Sequence, residues 1–157
     1  MNDQAHSMEL DDFDRKILRL VQADNRRTNT DIAEAVHLSE PSVRRRLDRL
    51  RKAGVIRADV ALLDRARLGV TLIVTITFKD DSPEAYRAFG ARMQTEDCVS
   101  ACYSVAGPAD FIVIAHAASP AEFERWAHEA IMSDPAIRRY DTAVVYSTVK
   151  YETAIPV

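Results

Sequence analysis

LSEPSVRRRLDRLRKAG, residues 38–54, decides how this chain is read, because it has the makings of one short helix that is half core and half positive charge. Val43, Leu47 and Leu50 recur at the period of an α-helix and form one apolar stripe, while Arg44, Arg45, Arg46, Arg49, Arg51 and Lys52 crowd the rest of the circumference. At about 100° per residue, the side opposite the stripe carries Pro41, Arg45, Asp48, Arg49 and Lys52, with Ser42, Arg44 and Arg46 on its flanks. Arginine offers a planar fork of donors that pairs with guanine edges or phosphates, which solubility alone does not require. This face is therefore a candidate DNA contact. The plainer reading is a solvated, arginine-rich helix, and Asp48 on the same face speaks for it. An acid there accepts from a cytosine amino group, or pairs with Arg44, Arg51 or Lys52 three or four positions away.

The residues leading into this stretch support the first reading. Leu10, Phe13, Ile17, Leu18 and Val21 mark a first amphipathic helix that ends near Asp24 and Asn25. Thr28 and Asp31 have capping-box spacing and open a second helix with Ile32, Ala33 and Val36 inside. His37, Leu38 and Ser39 form the turn, with Ser39 placed to cap the third helix and Pro41 tolerated in its first turn. His37 reads as a turn residue rather than a ligand. Two short helices on a tight turn, the later one basic, match the helix-turn-helix plan, in which the second of the pair enters the major groove.

Gly54 is placed to stop the third helix. Val55, Ile56, Val60, Ala61, Leu62 and Leu63 suit an extended arm or wing packed back on the helices, and LDRARLG, residues 63–69, is the expected linker. From residue 70 the pattern becomes strand-like: VTLIVTITF, then a helix opened by Ser82, Pro83 and Glu84, burying Ala85, Tyr86, Phe89 and Met93. A second strand spans about 98–105, Gly107 and Pro108 break the chain, and DFIVIAHA from Asp110 is the third. Ser119, Pro120 and Glu122 open another helix, burying Phe123, Trp126 and Ala130, and Asp134 before Pro135 ends it. Ile137 and then residues 142–149 give the last strand. The fold expected is an N-terminal all-α winged helix-turn-helix joined to a C-terminal α+β ferredoxin-like βαββαβ domain. The domain boundaries expected are a flexible tail over 1–9, the DNA-binding unit over 10–62, the linker over 63–69 and the second domain over 70–157. Val74, Ile76, Val113, Ile114, Val144 and Val145 give more apolar strand surface than two helices hide, so a subunit partner is expected on the sheet.

Composition narrows the function. The 157 residues suffice for one domain or two small ones, and the formal net charge of -3 means that any positive charge that matters must be local. Cys98 and Cys102 lack CxxC spacing and a partnering histidine cluster, and read as structural thiols of a reducing compartment. His116 and His128 have no carboxylate at metal-motif spacing. No apolar run approaches a membrane span and the N-terminus does not read as a leader, so a soluble cytoplasmic protein without a membrane partner is expected. GxSxG, HExxH, a phosphate-binding glycine loop and paired-cysteine metal motifs are all missing, so neither an enzyme nor a cofactor is expected.

The order of elements, with LDDFDRKILRLVQADNR at the start, DIAEAVHLSEPSVRRRLDRLRKAGVI across the helix pair and VAGPADFIV in the second domain, resembles the Lrp/AsnC family of transcriptional regulators. The resemblance covers residues 10–149. It implies a feast/famine-type regulator, dimeric through the sheet domain and commonly octameric, that binds double-stranded DNA and responds to a small effector, often an amino acid. By the same resemblance Ser39, Ser42, Arg45, Arg46 and Arg49 lie in or beside the DNA-facing helix, and with Arg44 and Lys52 of the basic face they are the DNA-binding candidates. The effector candidates are Gly107, Ala109, Asp110 and Asp134. Gly107 would expose backbone amides to a carboxylate and Asp110 would pair with an ammonium group; the alternatives are a plain turn glycine and an Asx cap. Two departures stand out. Ala58 and Asp59 replace the family's usual Gly-Tyr, and Pro108 and Ala109 occupy effector-loop positions that usually carry polar groups. The alternative function is thus a ligand-sensing oligomer of the same family with altered or lost amino-acid response or weakened DNA binding.

Overall fold

The structure is a computed structural model that describes residues 8–157, so the tail expected over 1–9 lies, but for its last two residues, outside the described residues. By its internal contacts the chain divides into two compact units. One runs to Leu62 and takes in Lys150–Val157; the other is Leu63–Val149.

The first unit holds three helices, α1 (Asp12–Ala23), α2 (Asn29–Val36) and α3 (Glu40–Lys52). Capping boxes open the first two: Asp11 with Asp14, and Thr28 with Asp31, each side chain taking the other residue's backbone N–H. Between α2 and α3, His37 takes the left-handed conformation at φ 57°, and its N–H bonds back to Ala33 and Glu34. Ser39 precedes α3 but makes no side-chain cap; its hydroxyl pairs with that of Ser42 at 3.0 Å instead. The apolar stripe lands as its spacing requires. Val43, Leu47 and Leu50 are buried, and Val43 and Leu47 pack with Ile17, Ile32, Ala33 and Val36. Burying each leucine is worth roughly 1.5–3 kcal/mol, which fixes the rotation of α3 and hence the direction of its charges.

Past Gly54 the chain is irregular rather than stranded. Ile56 packs on the helical core, but Val60, Leu62 and Leu63 are exposed, so the arm is only weakly folded back. A single 3-10 turn at Arg65–Arg67 opens the second unit, ahead of its first strand.

That unit runs β1 (Val70–Phe78), α4 (Pro83–Met93), β2 (Val99–Ser104), β3 (Phe111–Ala117), α5 (Pro120–Ala127) and β4 (Ile137–Val144), with a π-helical turn, His128–Met132, continuing α5. The strands form one antiparallel sheet in the order β2-β3-β1-β4. This is the βαββαβ arrangement. Leu72, Val74, Ile76 and Phe78 of β1 and Phe111 and Val113 of β3 join Phe89, Met93, Ala127, Ala130 and Ile131 in its core.

The opposite parity forms the uncovered sheet face, on which Ile73, Ile112, Ile114 and Tyr103 lie. This corrects the apolar surface expected from sequence. Val74, Ile76 and Val113 are already hidden beneath the helices, and of the six residues only Ile114 belongs on the central open face. The last strand also differs: β4 is continuous from Ile137 to Val144 and Val145 still bonds Thr71, but the chain then leaves the sheet. Lys150–Val157 belongs to the first unit, where the Gln22 amide both donates to and accepts from the Ile155 backbone, at 3.1 and 2.8 Å. Among the described residues no helix is long and apolar enough to cross a membrane.

Candidate nucleic-acid interface and effector loop

With its stripe buried, α3 presents a groove lined by Pro41, Arg44, Arg45, Asp48, Arg49 and Lys52. These are the five residues opposite the stripe together with Arg44 from its flank, and all six are exposed. Among the described residues Arg44, Arg45, Lys52 and Asp48 make no ion pair, so three cations of this face are uncommitted and Asp48 does not neutralise them through a direct pair. Ser39 is exposed and Ser42 half-buried at the N-terminal end of the same helix. Arg49, Arg51 and Lys52 lie in its last turn, where positive charge complements the exposed carbonyl groups.

Arg46 and Arg49 are engaged differently. Asp14 of α1, fully buried, accepts from Arg46 at 2.8 Å and from Arg49 at 2.6 Å. Arg46 also reaches Asp11 at 2.7 Å, lies over the Phe13 ring, and is only 22% exposed, whereas Arg49 remains 49% exposed. Accepting the Asp14 amide and the Arg46 guanidinium holds Asp11 below the usual carboxylate range. Arg46 thus joins α3 to α1, and its charge is spent inside the unit. Its wheel position beside the stripe is consistent with that. The partner was harder to find, although one signal existed: Asp14 interrupts the apolar spacing of Leu10, Ile17, Leu18 and Val21 with an acid on the inner face.

Asp59, one of the two departures at 58–59, accepts from Arg51 at 3.2 Å and from the Asn25 amide at 3.4 Å. The end of α3 is thereby tied to the α1–α2 turn by a surface ion pair of modest worth.

The effector candidates come together at one end of the sheet. The β2–β3 turn carrying Gly107 and Ala109 leads into Asp110, whose N–H donates to Ile76 near the end of β1, while the turn after α5 places Asp134 just ahead of β4. Gly107 has φ 155°, which disfavours other residues, and open space where a Cβ would stand. Asp110 is not free for a ligand in the way its loop position suggested: one oxygen accepts from the Phe78 amide and the other from the Tyr86 hydroxyl, both at 2.7 Å. That hydrogen bond, with burial and the charge itself, drives the Tyr86 phenol well above its ordinary range. Asp134 accepts from Arg92 at 2.6 Å and from the Ala136 amide at 2.9 Å. Burial pushes its carboxyl up, but these donors outweigh it and leave it below the usual value. Tyr86 and Arg92 are the partners sequence spacing did not supply.

The remaining titratable groups do not converge. Cys98 and Cys102 are free thiols pushed up by burial, which weakens them as nucleophiles. His116 is bridged by Thr71 and Ser100 and lowered by burial. Among the described residues no three His, Cys, Asp or Glu side chains gather as a metal site.

Comparison with known proteins gives two matches along the chain. Residues 71–155 match the Lrp/AsnC ligand binding domain and residues 10–57 a winged helix-turn-helix DNA-binding domain. An uncharacterized HTH-type transcriptional regulator of Sinorhizobium fredii is 35% identical over 98% of this chain and 92% of its own length. A leucine-responsive regulatory protein of Rhizobium meliloti is 34% identical over 91% and 93%. Among solved structures, an AsnC family regulator from Agrobacterium tumefaciens superposes with a TM-score of 0.84 at 30% identity, covering 94% of this chain and 97% of its own. A Neisseria meningitidis transcriptional regulator solved as its L-Met complex gives the same score and coverage at 27% identity.

Proposed function

The chain belongs to the Lrp/AsnC family and is a DNA-binding transcriptional regulator rather than an enzyme, and from that premise we propose that α3 is the helix it lays in the major groove. Arg44, Arg45, Arg49 and Lys52 meet the duplex, and Ser39 and Ser42 contact phosphates at the helix start. Arg46 holds the helix in place from behind. The single observation carrying this reading is the set of three exposed cations on one face of α3 that make no ion pair among the described residues, in a chain of net negative charge. The DNA-reading unit covers residues 10–62 and the sheet unit 70–149; two copies pair through the open sheet face, and dimers assemble further into octamers in the cytoplasm. An amino acid is the effector class, supported by the relative solved with L-methionine, and it enters at the Gly107–Ala109 turn beside Asp110 and Asp134.

A labelled duplex from upstream of the protein's own gene is expected to shift, with affinity falling steeply and linearly on logarithmic axes as salt rises. Arg45→Ala should weaken binding on the order of tenfold without lowering the melting temperature. Unchanged affinity would remove α3's outer face from the interface.

A second reading rests on Pro108, which has no N–H to offer, and on Ala109, which has no polar side chain, in the loop that would receive the effector. In that reading the protein binds its operator without an amino acid. Thermal melts against each of the common amino acids separate the two: a rise with one of them supports the effector site, and none, with operator affinity equally indifferent, supports the second reading.

A further inference from the structure

The carboxylate of Asp14 is the one fully buried charge among the described residues, and it has two arginine partners. Arg46 bridges Asp14 and Asp11 through the same nitrogen, at 2.8 and 2.7 Å, and is largely shielded from solvent. The Asp11 backbone N–H supplies a further donor at 3.2 Å. Arg46 thus already gives the buried carboxylate a charged partner. Arg49 nevertheless reaches in with one terminal nitrogen at 2.6 Å while half of its side chain stays in solvent. An arginine tethered at one corner of its guanidinium has lost much of its rotamer freedom in advance, and its remaining donors hold a fixed direction.

We propose that Asp14 is a positioning residue for sequence recognition, acting through Arg49, and that this divides the basic face into two kinds of arginine. Arg49, oriented by the buried carboxylate, reads a base edge. Arg44, Arg45 and Lys52, which make no ion pair among the described residues, follow the phosphates and supply attraction without choosing sequence. The inference rests on the reading of α3 as the groove-binding helix.

The test uses the full chain and two duplexes of equal length, the upstream operator fragment and a shuffled copy. The wild type should prefer the operator. In Asp14→Asn the preference should fall tenfold or more, while affinity for the shuffled duplex holds or tightens and its salt slope steepens by about 0.9, as an arginine released from its internal acid finds a phosphate. A purely structural role predicts instead that both affinities fall together with the melting temperature. Arg49→Ala should lose the same preference, and the double variant should be no worse than Arg49→Ala alone; additive losses, or undiminished preference in Asp14→Asn, overturn the proposal. Should Asp14→Asn not fold, the wild type still decides by nitrogen-detected NMR of its guanidinium groups. Slow rotation of the Arg49 terminal nitrogens beside fast averaging at Arg44 and Arg45 is expected, and equal averaging at all three overturns it. A wild type that shifts neither duplex strikes the groove-binding reading itself, a result distinct from a wild type that discriminates and an Asp14 variant that does so equally well.

Discussion

The Asp110 carboxylate has one acceptor site on each oxygen filled from within the protein, by the Phe78 amide and the Tyr86 hydroxyl. Hydrogen bonds to a charged acceptor are worth more than neutral ones, and removing the acceptor leaves the Phe78 N–H without its partner at the end of the central strand. Asp110→Ala should therefore destabilise the protein by about 3 kcal/mol with no effector present, read from urea unfolding; an unchanged midpoint would show the two bonds to be dispensable. Asp110→Asn separates this role from ligand binding. Asparagine keeps an oxygen for the Phe78 amide and a donor for the Tyr86 oxygen, but not the charge that would attract an ammonium group. If an amino acid raises the melting temperature of the wild type, Asp110→Asn should lose that rise when the carboxylate is a ligand and keep it when the carboxylate only supports the loop. Asp134 makes a pH prediction. Its folded carboxyl lies below the ordinary 3.8, because the donors from Arg92 and Ala136 outweigh burial. The folded state then binds fewer protons than the unfolded chain, so the contribution is fully present above that value and lost as pH falls through the lower, folded one. Asp11, Asp24 and Asp31 have the same sign. Stability should fall on acidification below about pH 4, and Asp134→Asn should make that fall shallower; an acid limb of the same slope in the variant would contradict the assignment.

At the scale of elements, the α2–α3 turn depends on a residue poorly suited to its backbone. His37 sits at φ 57°, and its ring makes no hydrogen bond among the described residues. Left-handed geometry costs a non-glycine residue on the order of 1 kcal/mol, so His37→Gly should stabilise the first unit by roughly that amount. A loss of stability in denaturant unfolding would mean that the imidazole has a packing role the turn geometry hides. The three helices were legible because each carries its own local instructions: Thr28 and Asp31 cap α2 as their spacing requires, and Val43, Leu47 and Leu50 set the rotation of α3. The strands were legible as strands but not as faces. In VTLIVTITF apolar residues stand at both parities, so alternation alone does not tell that Leu72, Val74 and Ile76 go beneath the helices while Ile73 faces outward. Charge partners were the least legible. Arg46 and Arg49 find Asp14 at separations of 32 and 35 residues, and Asp110 finds Tyr86 at 24, distances at which no helical or strand period correlates two positions.

At the scale of the molecule, the chain passes between its two units twice, once near Leu62 and again near Val149. The second passage ends on α1, where Gln22 makes paired hydrogen bonds with the Ile155 backbone. Gln22→Ala should speed hydrogen exchange at the Ile155 amide, and an unaltered rate would mean that the tail is not held there in solution. The open sheet face has larger consequences. Ile73 is 37% and Tyr103 57% exposed on it, with Ile112 and Ile114 between them in the register of β1, β3 and β2. Polar groups surround it: half-buried Thr71 and His116 at one end, and Arg139 paired with Asp141 on the edge strand β4. An apolar centre within a polar margin is the anatomy of a protein interface. Pairing two copies there joins two α3 helices in one particle, so that the second helix binds its half-site at high effective concentration. Ile114→Asp places a charge at the centre of this face without touching the helix-side core, since its strand neighbours Val113 and Ala115 are the buried ones. The variant should keep its helical and sheet content, sediment as a monomer, and bind the operator on the order of a hundredfold more weakly, with the salt slope reduced toward that of a single helix. A dimer that survives Ile114→Asp would place the subunit contact on another surface, and a monomer with undiminished operator affinity would show that one α3 suffices.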